Sequence, residues 1–318
     1  MKKIILSVAV AMMALTANAQ ALKTGQLTDI TRLTNGTVRY ENAKWSPDGS
    51  KIAFTKLGYE GLYVMESNGT ALKQLTEGPG DGFGFQWSAD NQDIVIRDTR
   101  WLDQGDGKID RAHALWSVNL KGKKTRLSYD ARYMQPAAWR YSANGVKNIL
   151  TADAKLIANT NLTPLKKSIA RKAAETTKLS VGSDGESIYL VYPDSSKHVI
   201  FNQQAVCPVL SPNGKKVAFV HQDEIIVMNL DGSNKQNLGR GFNPSWVANS
   251  QLVFEVTDDD GHTYTSGDLY IININGSGRK ALTNTKDKIE MNPCVSADGN
   301  KLLFNSFTDG QIYSATLK

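Results

Sequence analysis

The chain has 318 residues, 41% of them hydrophobic and 21% charged, with 26 glycines and 9 prolines. That mixture describes a loop-rich globular protein and excludes a disordered or fibrous one. The net charge of +6 is spread along the sequence, which excludes a concentrated nucleic-acid patch.

Residues 1–19 carry Lys2 and Lys3, an apolar run from Ile4 to Leu15, and the small-residue site Ala17-Asn18-Ala19. This is the pattern of a cleaved secretory signal. The run is shorter than the about 20 apolar residues of a membrane span, no later stretch is long and apolar enough to be one, and no cysteine lies near the site to take a lipid. The expectation is a periplasmic or secreted monomer without a transmembrane segment, forming a single domain over residues 20–318. A chain of about 300 residues can bury about three quarters of its unfolded surface, so no staple is required. The two cysteines, Cys207 and Cys294, read as buried thiols that behave as small hydrophobes.

The phrase Trp45-Ser46-Pro47-Asp48-Gly49-Ser50 organises everything after it. Pro47 presets φ, Asp48 can bond nearby backbone and Gly49 takes a positive φ, so the phrase is a tight turn between two strands. Variants return at Trp87-Ser88-Ala89-Asp90-Asn91, Trp139 with Ser142-Ala143-Asn144-Gly145, Leu210-Ser211-Pro212-Asn213-Gly214, Trp246-Val247-Ala248-Asn249-Ser250 and Val295-Ser296-Ala297-Asp298-Gly299, at separations of 42, 52, 71, 36 and 49 residues. Such spacings straddle the length of a four-stranded propeller blade.

Each hairpin leads to a third apolar run, such as Leu62-Tyr63-Val64-Met65, Ile188-Tyr189-Leu190-Val191 or Leu269-Tyr270-Ile271-Ile272, and usually to a fourth strand ending like Lys73-Gln74-Leu75-Thr76. The sixth repeat lacks that fourth strand, whereas Thr31-Arg32-Leu33-Thr34 has the ending without a repeat before it. The N-terminal strand is therefore expected to complete the last blade and close the ring, removing a free edge. The fold expected is an all-β, six-bladed propeller. Counting Val181 to Gly185 as a further turn phrase gives seven blades instead. Six is preferred because the seventh leaves too short a connection after Leu179. The segment 151–185, with Lys155, Lys166, Lys167, Arg171 and Lys172, then reads as an insertion with a solvated basic surface, carrying a short helix or an extra hairpin.

The Trp-Ser-Pro-Asp-Gly phrase followed by Ile52-Ala53-Phe54 and Leu62-Tyr63-Val64-Met65 resembles the repeat of TolB-type, WD40-like (PD40) propellers from about Thr28 onward. The second, third and fifth copies are degraded, and the repeats begin without a TolB N-terminal domain. The resemblance implies a propeller that binds partners in the cell envelope.

Antiparallel alternation puts the first-to-second and third-to-fourth turns on one face. The more variable loops gather on the other, where binding residues usually sit. Residues entering each first strand there should line the channel mouth: Arg39, Tyr40, Glu41, Phe83, Arg132, Tyr133, Met134, Phe242, Asn243, Met291 and Asn292. Their aromatic, Met and Arg character suits a protein or peptide partner. Two acidic loops on that face, Trp101 to His113 and Asp258 to His262, fall short of a calcium loop and read as hairpin tips, so no metal or cofactor is expected.

No Gly-x-Ser-x-Gly elbow occurs, and the four histidines form no adjacent motif. The chain is expected to be non-enzymatic. The alternative is a carbohydrate-binding or oligogalacturonate-lyase-like propeller, whose metal would use His113, His221 and His262.

Overall fold

The turn phrase closes its hairpin through a hub not apparent from Pro and Gly alone. The Ser46 hydroxyl donates to Asp48 Oδ1 at 2.7 Å and accepts the Lys51 N–H at 2.9 Å, while the Gly49 N–H, with φ 71°, closes on the Ser46 carbonyl at 2.8 Å. Ser88, Ser211 and Ser296 repeat the arrangement, and Asn91 takes the glycine position with φ 59°. Asparagine tolerates this region because its short amide can bond locally.

The computed structural model describes residues 22–103, 105, 109–132, 134, 137–151, 156–158 and 162–318; the expected signal over residues 1–19 lies outside them. After β1 (Leu27–Arg32), a first sheet contains β2 (Tyr40–Trp45), β3 (Lys51–Lys56), β4 (Glu60–Glu66) and β5 (Lys73–Thr76). The second contains β6 (Gln86–Trp87), β7 (Asp93–Asp103), β8 (Ile109–Asn119) and β9 (Lys124–Arg126), and the third β10 (Ala138–Tyr141), β11 (Lys147–Leu150) and β12 (Leu156–Ala158). Helix α1 (Lys167–Thr176) precedes the fourth, made of β13 (Ser180–Ser183), β14 (Ile188–Val191) and β15 (Lys197–Phe201). The fifth holds β16 (Val206–Leu210), β17 (Lys216–His221), β18 (Glu224–Asn229) and β19 (Gln236–Arg240), and the sixth β20 (Phe242–Val247), β21 (Gln251–Asp259), β22 (Tyr264–Asn273) and β23 (Lys280–Ala281). In the seventh, β24 (Glu290–Val295), β25 (Lys301–Ser306) and β26 (Gln311–Leu317) are completed by β1. Leu27 stands opposite Leu317 and Arg32 opposite Tyr313, so the N-terminal strand takes the outer place expected for it.

The described residues thus form seven sheets where six were preferred, and the third repeat explains the difference. Its first two strands, β10 and β11, gain β12, and its last two, β14 and β15, gain β13, so one repeat becomes two three-stranded sheets. Between them the chain crosses the short-turn face: the Leu165 N–H bonds to the Gly145 carbonyl in the β10–β11 turn. Strand β13 then runs back, and its Asp184-Gly185 turn meets Ala205 at the start of β16, on the opposite face from the other turn phrases. The helix forms where a short one was expected, burying Ala170 and Ala173 and leaving Lys166, Lys167, Arg171 and Lys172 exposed; Lys155 lies outside the described residues.

Tryptophan ties neighbouring sheets together at their inner strands. The Trp87 indole donates to the Lys44 carbonyl (3.3 Å), Trp139 to Gln86 (3.0 Å), Trp246 to Val209 (3.1 Å) and Trp45 to Cys294 (3.2 Å), the last joining the first sheet to the seventh. The same seam buries Leu33, Tyr40, Trp45, Phe54, Leu303 and Ile312 in one cluster. Between the second and third sheets, Lys147 is fully enclosed with Asp93 at 2.6 Å and Asp90 at 2.7 Å.

Leu33 holds the N-terminal segment to that seam, its N–H bonding to the Ile312 carbonyl at 2.8 Å and its side chain 7% exposed. Replacing Leu33 with alanine should cost about 2–4 kcal/mol. Urea unfolding checks this, and a cost no larger than that of an exposed leucine such as Leu72 would show the seam to be unimportant.

Candidate functional site

Four inner strands break register at the same height. In β2, β16, β20 and β24 two residues bulge between paired positions, and the first has a left-handed backbone: Asn42 (φ 56°), Cys207 (φ 54°), Asn243 (φ 48°) and Asn292 (φ 55°). A bulge bends the strand and re-aims its side chains. Here they face a central channel, where these strands line a cavity of about 270 Å³ that shares Lys44, Cys207 and Pro208 with a neighbouring one of about 620 Å³.

The bulge residues bond to one another around this waist. Asn243 Nδ2 donates to Asn292 Oδ1 (3.3 Å) and to Glu255 Oε1 (2.8 Å), Asn292 Nδ2 donates to Asn305 Oδ1 (2.8 Å), and the Cys207 thiol lies 3.6 Å from Asn243 Oδ1. Both cysteines are free, as expected, but Cys207 is exposed and not buried, because the bulge turns it toward the channel. Glu255 is 2% exposed and also accepts the Asn292 backbone N–H. Burial pushes its carboxyl up to about 7, against the opposing pull of those two donors.

Above the waist two aromatic pairs face the mouth, each capped by an arginine. Tyr59 meets the Phe83 edge at 5.3 Å with the Arg97 guanidinium 4.1 Å from the Phe83 ring, and Tyr264 meets Phe307 at 5.3 Å with Arg39 5.2 Å from that ring. The Tyr59 hydroxyl is pushed up by burial and then by Glu41, Cys207 and Tyr264, so groups from the first, fifth and sixth sheets converge on one space. On the long β7–β8 hairpin Trp101 is 58% exposed with Arg111 stacked at 4.8 Å.

The residues singled out in the sequence divide accordingly. Arg39, Phe83, Asn243 and Asn292 belong to these networks; Glu41 accepts the Gly58 and Tyr59 N–H groups at 2.9 and 3.3 Å; Phe242 pairs with Glu255 across the β20–β21 ladder. The Met134 carbonyl accepts from Arg97 at 2.9 Å, and Arg132 stands exposed 3.4 Å from Asp110. Tyr40 and Met291 are packed inside, at 7% and 6% exposure, Tyr40 edge-on to Phe54 and Tyr63. Tyr133 lies outside the described residues. Sequence reasoning missed Glu255 and Arg97. Both follow an apolar triad, Leu252-Val253-Phe254 and Ile94-Val95-Ile96, at the place taken by Thr55 and Asn305 in other sheets.

The histidines do not converge. His113 bonds Thr99 Oγ1 at 3.0 Å and has its pKa lowered by burial, then by Arg97 and Arg111; His221 bonds the Gln204 carbonyl at 2.7 Å, and His262 sits at an exposed hairpin tip. Among the described residues no group of three or more His, Cys, Asp or Glu is placed to hold a metal. In the second acidic loop Asp258 bonds Arg240 (2.6 Å), while Asp259 and Asp260 accept turn N–H groups, as in a hairpin tip. Gln104 and residues 106–108 of the first loop lie outside the described residues.

The Glu255 carboxyl has a higher pKa folded than the ordinary 4.5, so the stability it contributes is present below about pH 4.5 and lost as pH rises through about 7. Glu255→Gln should therefore lose about 2–3 kcal/mol of pH dependence between pH 5 and 8. Denaturant unfolding at both values checks this; an unchanged pH slope would place the titration elsewhere.

No protein-family model matches the sequence, and no curated protein matches it. Solved structures do resemble it. TolB from Acinetobacter baumannii is 14% identical with a TM-score of 0.52, the match covering 82% of this chain and 58% of that one. A putative TolB from Agrobacterium tumefaciens is 15% identical with a TM-score of 0.52, over 91% and 97% of the two chains. The Cps50 (Swd1) β-propeller domain of Myceliophteria thermophila is 10% identical with a TM-score of 0.59, over 91% and 100%. At these identities the likeness is one of architecture: the chain has a TolB-like β-propeller fold.

Proposed function

We propose that this protein is an exported, non-enzymatic binding module, a ring of seven blades closed by its N-terminal strand, that engages a protein or peptide segment of the cell envelope at the channel mouth. The observation that carries the reading is the mouth itself: two arginine-capped aromatic pairs and the exposed Trp101 surround a bonded polar waist. Aromatic and arginine side chains are the usual anchors of protein interfaces, since aromatics bury much area with few rotatable bonds and arginine forms bidentate hydrogen bonds. Export rests on the signal pattern of residues 1–19, and no helix among the described residues is long and apolar enough to cross a membrane. The separated histidines favour binding over metal-dependent lyase chemistry.

Replacing Trp101, Arg132 and Tyr264 together with alanine should weaken capture of the envelope partner by tenfold or more, taking about 2 kcal/mol per hot-spot residue. The thermal midpoint should barely move, because all three side chains stand at the surface. Capture from envelope extract, compared with that by an equally exposed α1 control such as Lys172→Ala, is the measurement. Undiminished capture sinks the mouth reading, and turnover of a pectic oligosaccharide that depends on His113 or His262 replaces it with the lyase.

A further inference from the structure

Among the described residues, two cations that line the channel cavities have no ion pair. Lys44, directly after the β2 bulge, lines both the 270 and the 620 Å³ cavities. Its ammonium donates to the Phe85 carbonyl at 2.9 Å and lies 4.6 Å from the Phe85 ring; among the described residues it has no ion pair. Arg140, 8% exposed on β10, lines a further cavity of about 530 Å³ and among the described residues bonds only the Val191 carbonyl, at 3.2 Å. Pro208 borders all three cavities, so they adjoin one another at β16.

Two other lysines, one fully and one partly buried, are paired instead. Lys147 is bracketed by two aspartates, and Lys124 has Asp98 at 3.2 Å. A desolvated charge without a counter-charge is costly, and the structure retains one where a cavity adjoins it. Burial holds the Lys44 ammonium below its usual pKa, while part of the side chain stays accessible from the channel. The carboxylates nearby are already engaged: Asp184 accepts the Ser187 N–H at 2.8 Å and faces Lys197 at 3.6 Å, and Glu255 accepts from Asn243 and Asn292.

We propose that the segment bound at the mouth reaches down the channel and places a carboxylate, a chain terminus or an acidic side chain, against the Lys44 ammonium. The ammonium has two further donors to offer, and an anion delivered there in place of water gains a charge-assisted hydrogen bond where few water dipoles compete. Arg140 adds a second positive charge beyond it. The inference rests on the mouth reading, since the mouth is the entrance that the aromatic pairs surround.

The test uses the folded chain with lysines carrying ¹³C at Cε, the Lys44 signal being assigned by its loss in Lys44→Met, or in Lys44→Gln where that variant folds better. The probes are acetate, acetyl-trialanine and acetyl-trialanine carboxamide. The free acid should move the Lys44 signal saturably and bind about tenfold or more tighter than the carboxamide, as one charged hydrogen bond provides. The Lys44 variant should erase that difference. Equal binding of acid and carboxamide, or a Lys44 signal unmoved by either anion, overturns the inference. The Trp101/Arg132/Tyr264 variant separates the two readings: envelope capture lost there but retained in Lys44→Met leaves the mouth standing and removes the carboxylate site, whereas capture retained in both removes both.

Discussion

An indole N–H that reaches back to the inner strand of the preceding sheet is the constraint on which the architecture depends. Each such bond fixes the height and spacing of two neighbouring inner strands at once, and the tryptophan ring fills the wedge between their sheets. Where tryptophan is absent the fold substitutes other links: Arg140 to the Val191 carbonyl between the third and fourth sheets, and the Val295 N–H to Ser245 Oγ at 3.0 Å between the sixth and seventh. A polar atom inside each seam must find a partner, so the rung that joins two sheets also sets their register.

Most of this is legible in the residues themselves. A serine four or five residues before a strand, with Asp or Asn two positions on and Gly or Asn after that, is a local code whose bonds form within six residues, so it survives in any context. The missing fourth strand of the last repeat likewise located β1, because an unpaired edge demands a partner. The division of the third repeat into two sheets was legible only as the alternative count through Val181 to Gly185. Strands β12 and β13 are three and four residues long, and β13 carries glycine and serine, so neither shows an apolar period; they exist because β11 and β14 offer them edges.

The mouth was legible in place but not in detail. Alternation put Arg39, Phe83, Asn243 and Asn292 near the entry of the inner strands, but it assumes an unbroken ladder, and the bulges break it. That is why Tyr40 turns inward to Phe54 and Cys207 outward to the channel. A written signal was present: the Cys-Pro and Asn-Pro pairs at 207–208, 243–244 and 292–293 place a residue that tolerates left-handed backbone, or must bear it, before one that cannot donate to a ladder. Glu255 and Arg97 needed the sheets in register before their shared height became visible.

The two ends of the described chain meet in one strand pair, with the Lys318 carbonyl accepting the Gly25 N–H at 3.0 Å. A chain delivered from its N-terminus, by a ribosome or through a membrane pore, presents β1 first and β26 last. Among the described residues every other strand pair joins neighbours in sequence, so this one pair closes the longest loop in the fold, and the entropic cost of bringing its two strands together is the largest of any.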